Sequence, residues 1–175
     1  SSDLLNTDSI VKLLRNIKLL DIKVLDPNVN SSSTEFLSQD KNTLIYGLAA
    51  VKNVGYKSIE KLVAYRQTNG PFKTLFDLCK IGSQSMNKKV LESLIKAGAC
   101  DELEGTRAQQ YNLINQAIKF GQRYTEETNS SQFSLFSNKE INSIYKKPIL
   151  SDVIDWDESI KLNYEKEVLG FYLSG

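Results

Sequence analysis

Two short stretches carry residue types whose spacing suits the binding of an anion. In Lys52-Asn53-Val54-Gly55-Tyr56-Lys57 a turn ends in glycine and runs at once into an amphipathic segment. Leu48, Val51, Val54, Ile59, Leu62 and Val63 follow helix–hairpin–helix spacing, in which apolar positions flank a Gly-apolar-Gly turn. Asn53 stands where the first of those glycines would be. Asparagine is the side chain that best tolerates the left-handed conformation, so the turn survives the change. Such a turn predicts unpaired N–H groups near Gly55 and Tyr56 at a helix N-terminus. Free donors and the helix dipole attract phosphate there, and Lys52 and Lys57 add charge. The same pattern also suits a hairpin that only packs.

A looser second copy follows in "SMNKKVLESLIKAGA". Ser85, Met86 and Asn87 occupy its turn, Leu91 the close-packing position, and Leu94 and Ile95 the apolar face. Lys88 and Lys89 fall in the first helical turn, where cations oppose the dipole. That placement is odd for pure structure and sensible for an anion site. Contacts made through backbone amides and lysines read phosphate and not base, so any nucleic-acid binding is expected to be sequence-independent.

Other chemistries are poorly supplied. The chain has no histidine, which removes the commonest general base, the usual zinc ligand and every Ser–His or Cys–His pair. Cys79 and Cys100 lack CxxC spacing and read as reduced, structural thiols. Asp101-Glu102 and Asp155-Trp156-Asp157-Glu158 lie among loop and helix-start signals, where acids complement the helix dipole. No catalytic residue and no metal set emerges. With no membrane-length apolar run and no signal-peptide pattern, a cytoplasmic chain with no membrane partner is expected.

The net charge of +1 hides a segregation. Residues 41–100 carry ten Lys/Arg against three acids, or +7, whereas residues 1–40 are at −2 and residues 101–175 at −4. A basic middle between acidic flanks suggests a polyanion partner for the middle alone.

The elements that must position these residues are mainly helical. Asp8 can cap a helix bearing Ile10, Val11, Leu14, Ile17 and Leu20. A strand is predicted over Ile22–Leu25, stopped by Asp26-Pro27. Glu35–Leu37 and Leu44–Tyr46 are expected to pair as a small hairpin. Helices are predicted near 46–51, 56–68, 74–80, 87–98 and 106–123, and Gly98 closes the fourth. From Glu126 to about Asn142 the composition turns polar and order is expected to fall. A last helix is predicted over Glu158–Leu169. The fold class is mainly α, a tandem helix–hairpin–helix domain with a small strand element on its N-terminal side.

The stretches "IYGLAAVKNVG", "NGPFKTLFDLC", "NKKVLESLIKAGACD" and "EKEVLGFYLSG" resemble the alpha subunits of bacterial replicative DNA polymerase III, the C-family polymerases. "VLDPNVNSSSTEF" matches the same family's run ahead of the first hairpin. The resemblance implies four regions: the end of the fingers over 1–45, a tandem helix–hairpin–helix unit over 46–105, a helix and flexible clamp-binding segment over 106–142, and a linker helix over 143–175. In the family an OB-fold follows, and the catalytic aspartates that hold magnesium lie upstream in the palm. The resemblance therefore implies a fragment that binds primer-template duplex without catalysing and needs no cofactor of its own, magnesium being expected for the parent polymerase. The sliding clamp and other replicase subunits are the implied protein partners. A stand-alone tandem helix–hairpin–helix scaffold for repair or recombination remains the alternative.

One further site is implied. Gln132, Phe133, Ser134, Leu135 and Phe136 are similar to the family's internal sliding-clamp motif, a glutamine followed by spaced apolar residues that end in Leu-Phe. An exposed flexible segment that carries Phe133, Leu135 and Phe136 needs something to cover them. An extended peptide can lay its last two side chains in an apolar pocket while the glutamine bonds the rim.

Overall fold

The computed structural model describes residues 21–129 and 149–170, with Lys12, Arg15 and Asn16 besides. The expected first helix falls mostly outside the described residues, and so does the whole of Gln132–Phe136.

Three short strands open the described chain. β1 (Lys23–Leu25) ends before Asp26-Pro27, as predicted. β2 (Leu37–Asp40) and β3 (Thr43–Ile45) form an antiparallel hairpin in which Ser38 faces Leu44 and Asp40 faces Thr43, with a register shift between. The Asp40 carboxylate accepts from the Asn42 N–H at 2.8 Å and closes the turn. β1 then adds in parallel to β3, giving the order β1-β3-β2. The first hairpin strand was expected at Glu35–Leu37 and lies further along. "LSQD" is exposed at every position, so it has no alternation for sequence reading to detect.

The predicted helix at 46–51 is a single 3-10 turn, Leu48–Ala50. Five α-helices follow among the described residues: α1 (Tyr56–Asn69), α2 (Leu75–Cys79), α3 (Lys88–Lys96), α4 (Arg107–Asn129) and α5 (Glu158–Leu169). Their ends follow local chemistry. Thr74 and Asp77 make a reciprocal capping box on α2. Asn87 caps α3 by accepting from Val90 N–H at 3.0 Å, and Asp157 caps α5 through Ile160 N–H at 2.9 Å. Gly98 (φ 79°) ends α3 in a Schellman arrangement, with Ala99 N–H bonded to Leu94 O and Gly98 N–H to Ile95 O, each at 3.0 Å. α4 runs on through 126–129, which were expected to be loop. Within its last turns Tyr124 stacks on Phe120, Thr125 Oγ1 donates to Gly121 O at 2.9 Å and Thr128 Oγ1 donates to Thr125 O at 3.0 Å.

A single apolar core runs from Val29 to Leu169 and includes Tyr46, Leu48, Ile59, Leu62, Leu91 and Leu94. α2 packs on α4, with Phe76 set edge-on to Phe120 at 5.4 Å. α5 returns to the start of the helical region. Val168 O accepts from Lys52 N–H at 2.8 Å, and Leu169 O accepts from the buried Tyr46 hydroxyl at 3.2 Å.

Among the described residues, charge is buried at one point. Arg107, at the start of α4, donates to Asp101 at 2.8 and 2.9 Å and to the buried Glu165 of α5 at 3.1 and 3.2 Å. Burial alone would lower the Arg107 pKa, but the bonds to and charges of Asp101 and Glu165 outweigh it and the group is held firmly protonated. Asp101 thus serves a guanidinium and not a helix dipole, unlike the expectation for the acids at 101–102. Cys79 and Cys100 are free and buried. Burial pushes the Cys79 thiol up to about 12 and the Cys100 thiol higher still, so neither forms a thiolate near neutral pH.

Candidate nucleic-acid interface

The first turn is built as its sequence predicts. Asn53 has φ 69° and is one of two non-glycine residues with positive φ among the described residues. Val54 turns its side chain into the core, leaving Lys52, Asn53, Gly55, Tyr56 and Lys57 exposed. Gly55 is the N-cap of α1 and makes no side-chain cap bond. Among the described residues no acceptor takes the N–H groups of Gly55, Tyr56 or Lys57. These donors point out of a helix start that holds no acid in its first turn.

Gly55 itself has no explanation in the fold. Its backbone (φ −81°, ψ 147°) is open to any residue. An added Cβ would meet nothing nearer than Ser58 Oγ at 3.8 Å. Neither torsion nor crowding asks for glycine here. Its absent side chain leaves the free amides open to close approach from outside.

The second turn differs. Ser85 and Met86 are 5% and 0% exposed, so their side chains belong to the core and only their backbone can face a ligand. Asn87, Lys88 and Lys89 are exposed. Asn87 spends its side chain on the Val90 N–H, so one donor of this helix start is already used. Here the lysines carry the anion-binding potential.

The +7 segment sorts itself in three dimensions. Arg66 is internal, donating to Val29 O at 2.8 Å and Ser32 O at 3.0 Å. Lys80 pairs with Asp77 at 3.6 Å, and Lys96 pairs with Glu167 at 3.3 Å while lying over the Tyr164 ring. Lys52, Lys57, Lys88 and Lys89 have no ion-pair partner among the described residues. α2 and α5 do carry an acid in the first turn, Asp77 and Glu158. α1 and α3 carry lysines and no acid there. α4 also lacks an acid there and starts with Arg107, but that cation is paired with Asp101 and Glu165, whereas the first-turn lysines of the two hairpin helices are unpaired among the described residues.

Sequence reading missed the bond that ties the first turn to α3. Asn53 Nδ2 donates to Ser93 Oγ of α3 at 3.3 Å, across 40 residues. A contact so distant in sequence leaves no local signal.

The class this geometry defines is a tandem helix–hairpin–helix unit. The family model described as "Helix-hairpin-helix motif" matches residues 21–110, and the chain belongs to that family. Relatives match along its whole length. It is 38% identical over 176 residues to DNA polymerase III subunit alpha of Xylella fastidiosa and 31% identical over 176 residues to that of Escherichia coli K12, covering 100% of this chain in both. It is also 37% identical over 174 residues, 97% of this chain, to the subunit of Campylobacter jejuni. The chain spans about 15% of the length of these relatives. Among the described residues no helix is long and apolar enough to cross a membrane.

Proposed function

We propose that this chain is the segment of a replicative DNA polymerase alpha subunit that grips primer-template duplex behind the active site, without reading sequence, and tethers the enzyme to its sliding clamp. The observation that carries the DNA grip is Gly55, a glycine that neither torsion nor crowding requires, set among free amides and exposed lysines. Phosphate oxygens suit that surface. Lys88 and Lys89 supply a second contact on the same backbone. Gln132, Phe133, Ser134, Leu135 and Phe136 form the clamp peptide in this reading, supported by their motif and by the relatives' shared name. A weak peptide joined to a weak DNA grip gives processivity through effective concentration. Nucleotide transfer, with its magnesium, and contacts to other replicase subunits are assigned to the parent protein in the cytoplasm. This fragment is read as non-catalytic.

The test is fluorescence anisotropy of labelled duplexes of unrelated sequence across a salt series. Each lysine on a phosphate contributes roughly one unit to the log–log salt slope. Lys52, Lys57, Lys88 and Lys89 changed together to Ala should flatten the slope and weaken all duplexes alike. Gly55→Ala should weaken binding while leaving melting nearly unchanged. An unaltered slope in the quadruple variant would reduce the basic face to solvated surface.

A further inference from the structure

We infer that Asn53 is also a positioning residue, whose amide locks the two hairpin turns in the fixed relation that lets one duplex engage both; this rests on the DNA-binding reading above. Glycine would adopt the φ of 69° at this position more readily than asparagine does. What glycine lacks is the amide that reaches Ser93 Oγ at 3.3 Å.

Ser93 is as telling as Asn53. It is 3% exposed on α3, among the buried Val90, Leu91, Leu94 and Ile95. A hydroxyl buried in such company needs a partner, and the exposed turn of the other hairpin provides one. Ser93 follows Lys88, the first residue of α3, by five positions, roughly 7.5 Å along the axis. The amide of the first turn is thereby tied to the flank of the helix whose start forms the second.

Among the described residues no other hydrogen bond joins the two hairpins, and the apolar core they share attracts without direction. A directed hydrogen bond between one turn and the other helix selects a single register. Register matters because a second contact adds affinity only where the geometry lets both engage together.

The experiment uses the full chain with Asn53→Gly, which keeps the turn conformation, and Ser93→Ala, which removes the acceptor. Nitroxides on Glu60→Cys and Gln84→Cys, both exposed positions, report the distance between the hairpins by electron–electron resonance. The native thiols are buried and stay unlabelled. Each variant should broaden the distance distribution and lower duplex affinity several-fold. The salt slope should fall by up to about two units, the share of Lys88 and Lys89, and melting should stay within a few degrees of wild type. The double variant should add nothing to either single change. Variants that keep the wild-type distribution and slope would overturn the positioning role while leaving DNA binding intact. A wild-type chain that binds no duplex would instead overturn the DNA-binding reading, and the positioning role with it.

Discussion

Gly121 of α4 rests directly against the backbone of Cys79 at the end of α2. A Cβ built on Gly121 would collide with the Cys79 carbonyl oxygen and approach its Cβ to 2.9 Å. Ala ordinarily gains up to about 1 kcal/mol over Gly inside a helix. Overpacking against a backbone atom that cannot rotate away costs about 1–3 kcal/mol, so the clash wins. Gly121→Ala should lower Tm by several degrees in a circular-dichroism melt, where an exposed helical glycine would raise it. An unchanged or higher Tm would mean that α2 and α4 separate without cost.

Removing the guanidinium from the Arg107–Glu165 pair should be among the most damaging changes in the described fold. Glu165 is 1% exposed, and breaking a buried pair from one side costs about 3–5 kcal/mol. Arg107→Leu should show that loss as a lower urea midpoint with little change of slope. A loss below about 1 kcal/mol would place the pair's weight elsewhere.

Asp155 gives the fold an acid dependence. Burial would raise its pKa, but hydrogen bonds from Lys161 and from the Ala108 and Trp156 N–H groups outweigh that and hold it below the usual carboxylate value. A lowered folded pKa means the stabilisation is whole above the unfolded value, about 3.9, and is lost as pH falls through the folded one. Asp155→Asn should therefore cost about 1–2 kcal/mol at pH 7. The gap from wild type should close as pH falls below about 4. A gap that stays constant with pH would exclude the carboxylate's charge as its source.

The clamp peptide makes a separable prediction. Burying Leu135 and Phe136 supplies on the order of 3–6 kcal/mol before ordering costs, which leaves binding near micromolar. Leu135→Ala with Phe136→Ala should nearly abolish clamp binding in calorimetry. Gln132→Ala should weaken it less, since it removes rim hydrogen bonds and little area. DNA affinity and Tm should stay as they were. A double variant that binds the clamp normally, or melts several degrees lower, would assign these side chains to the core instead.

Incubated with primed template, nucleotides and magnesium, the chain should extend no primer. Template-dependent incorporation that follows the purified protein through every column would refute the non-catalytic reading.

Helix existence was legible wherever caps and apolar periodicity agreed. Asp157 and Gly170 bracket α5, which spans Glu158–Leu169 as predicted. Asn53 was legible in its turn because one backbone conformation there admits few side chains. The sheet was harder. β2 lacks alternation, and the parallel pairing of β1 with β3 depends on a partner twenty residues away. Arg107–Glu165 and Asn53–Ser93 were invisible for a related reason. Both are long-range polar pairs made by packing, and composition does not record which helix faces which.

The bond from Tyr46 to Leu169 spans 123 residues, and Lys52 is closed by Val168 beside it. During synthesis the first hairpin is complete in sequence long before its last hydrogen-bond partner has been made. Until α5 leaves the ribosome, at about 5–20 residues per second, the Tyr46 hydroxyl and the Lys52 N–H lack these acceptors. Contacts of such length also slow folding through loop closure. A nascent chain halted before residue 168 thus carries both hairpin sequences but not the carbonyls that finish the first.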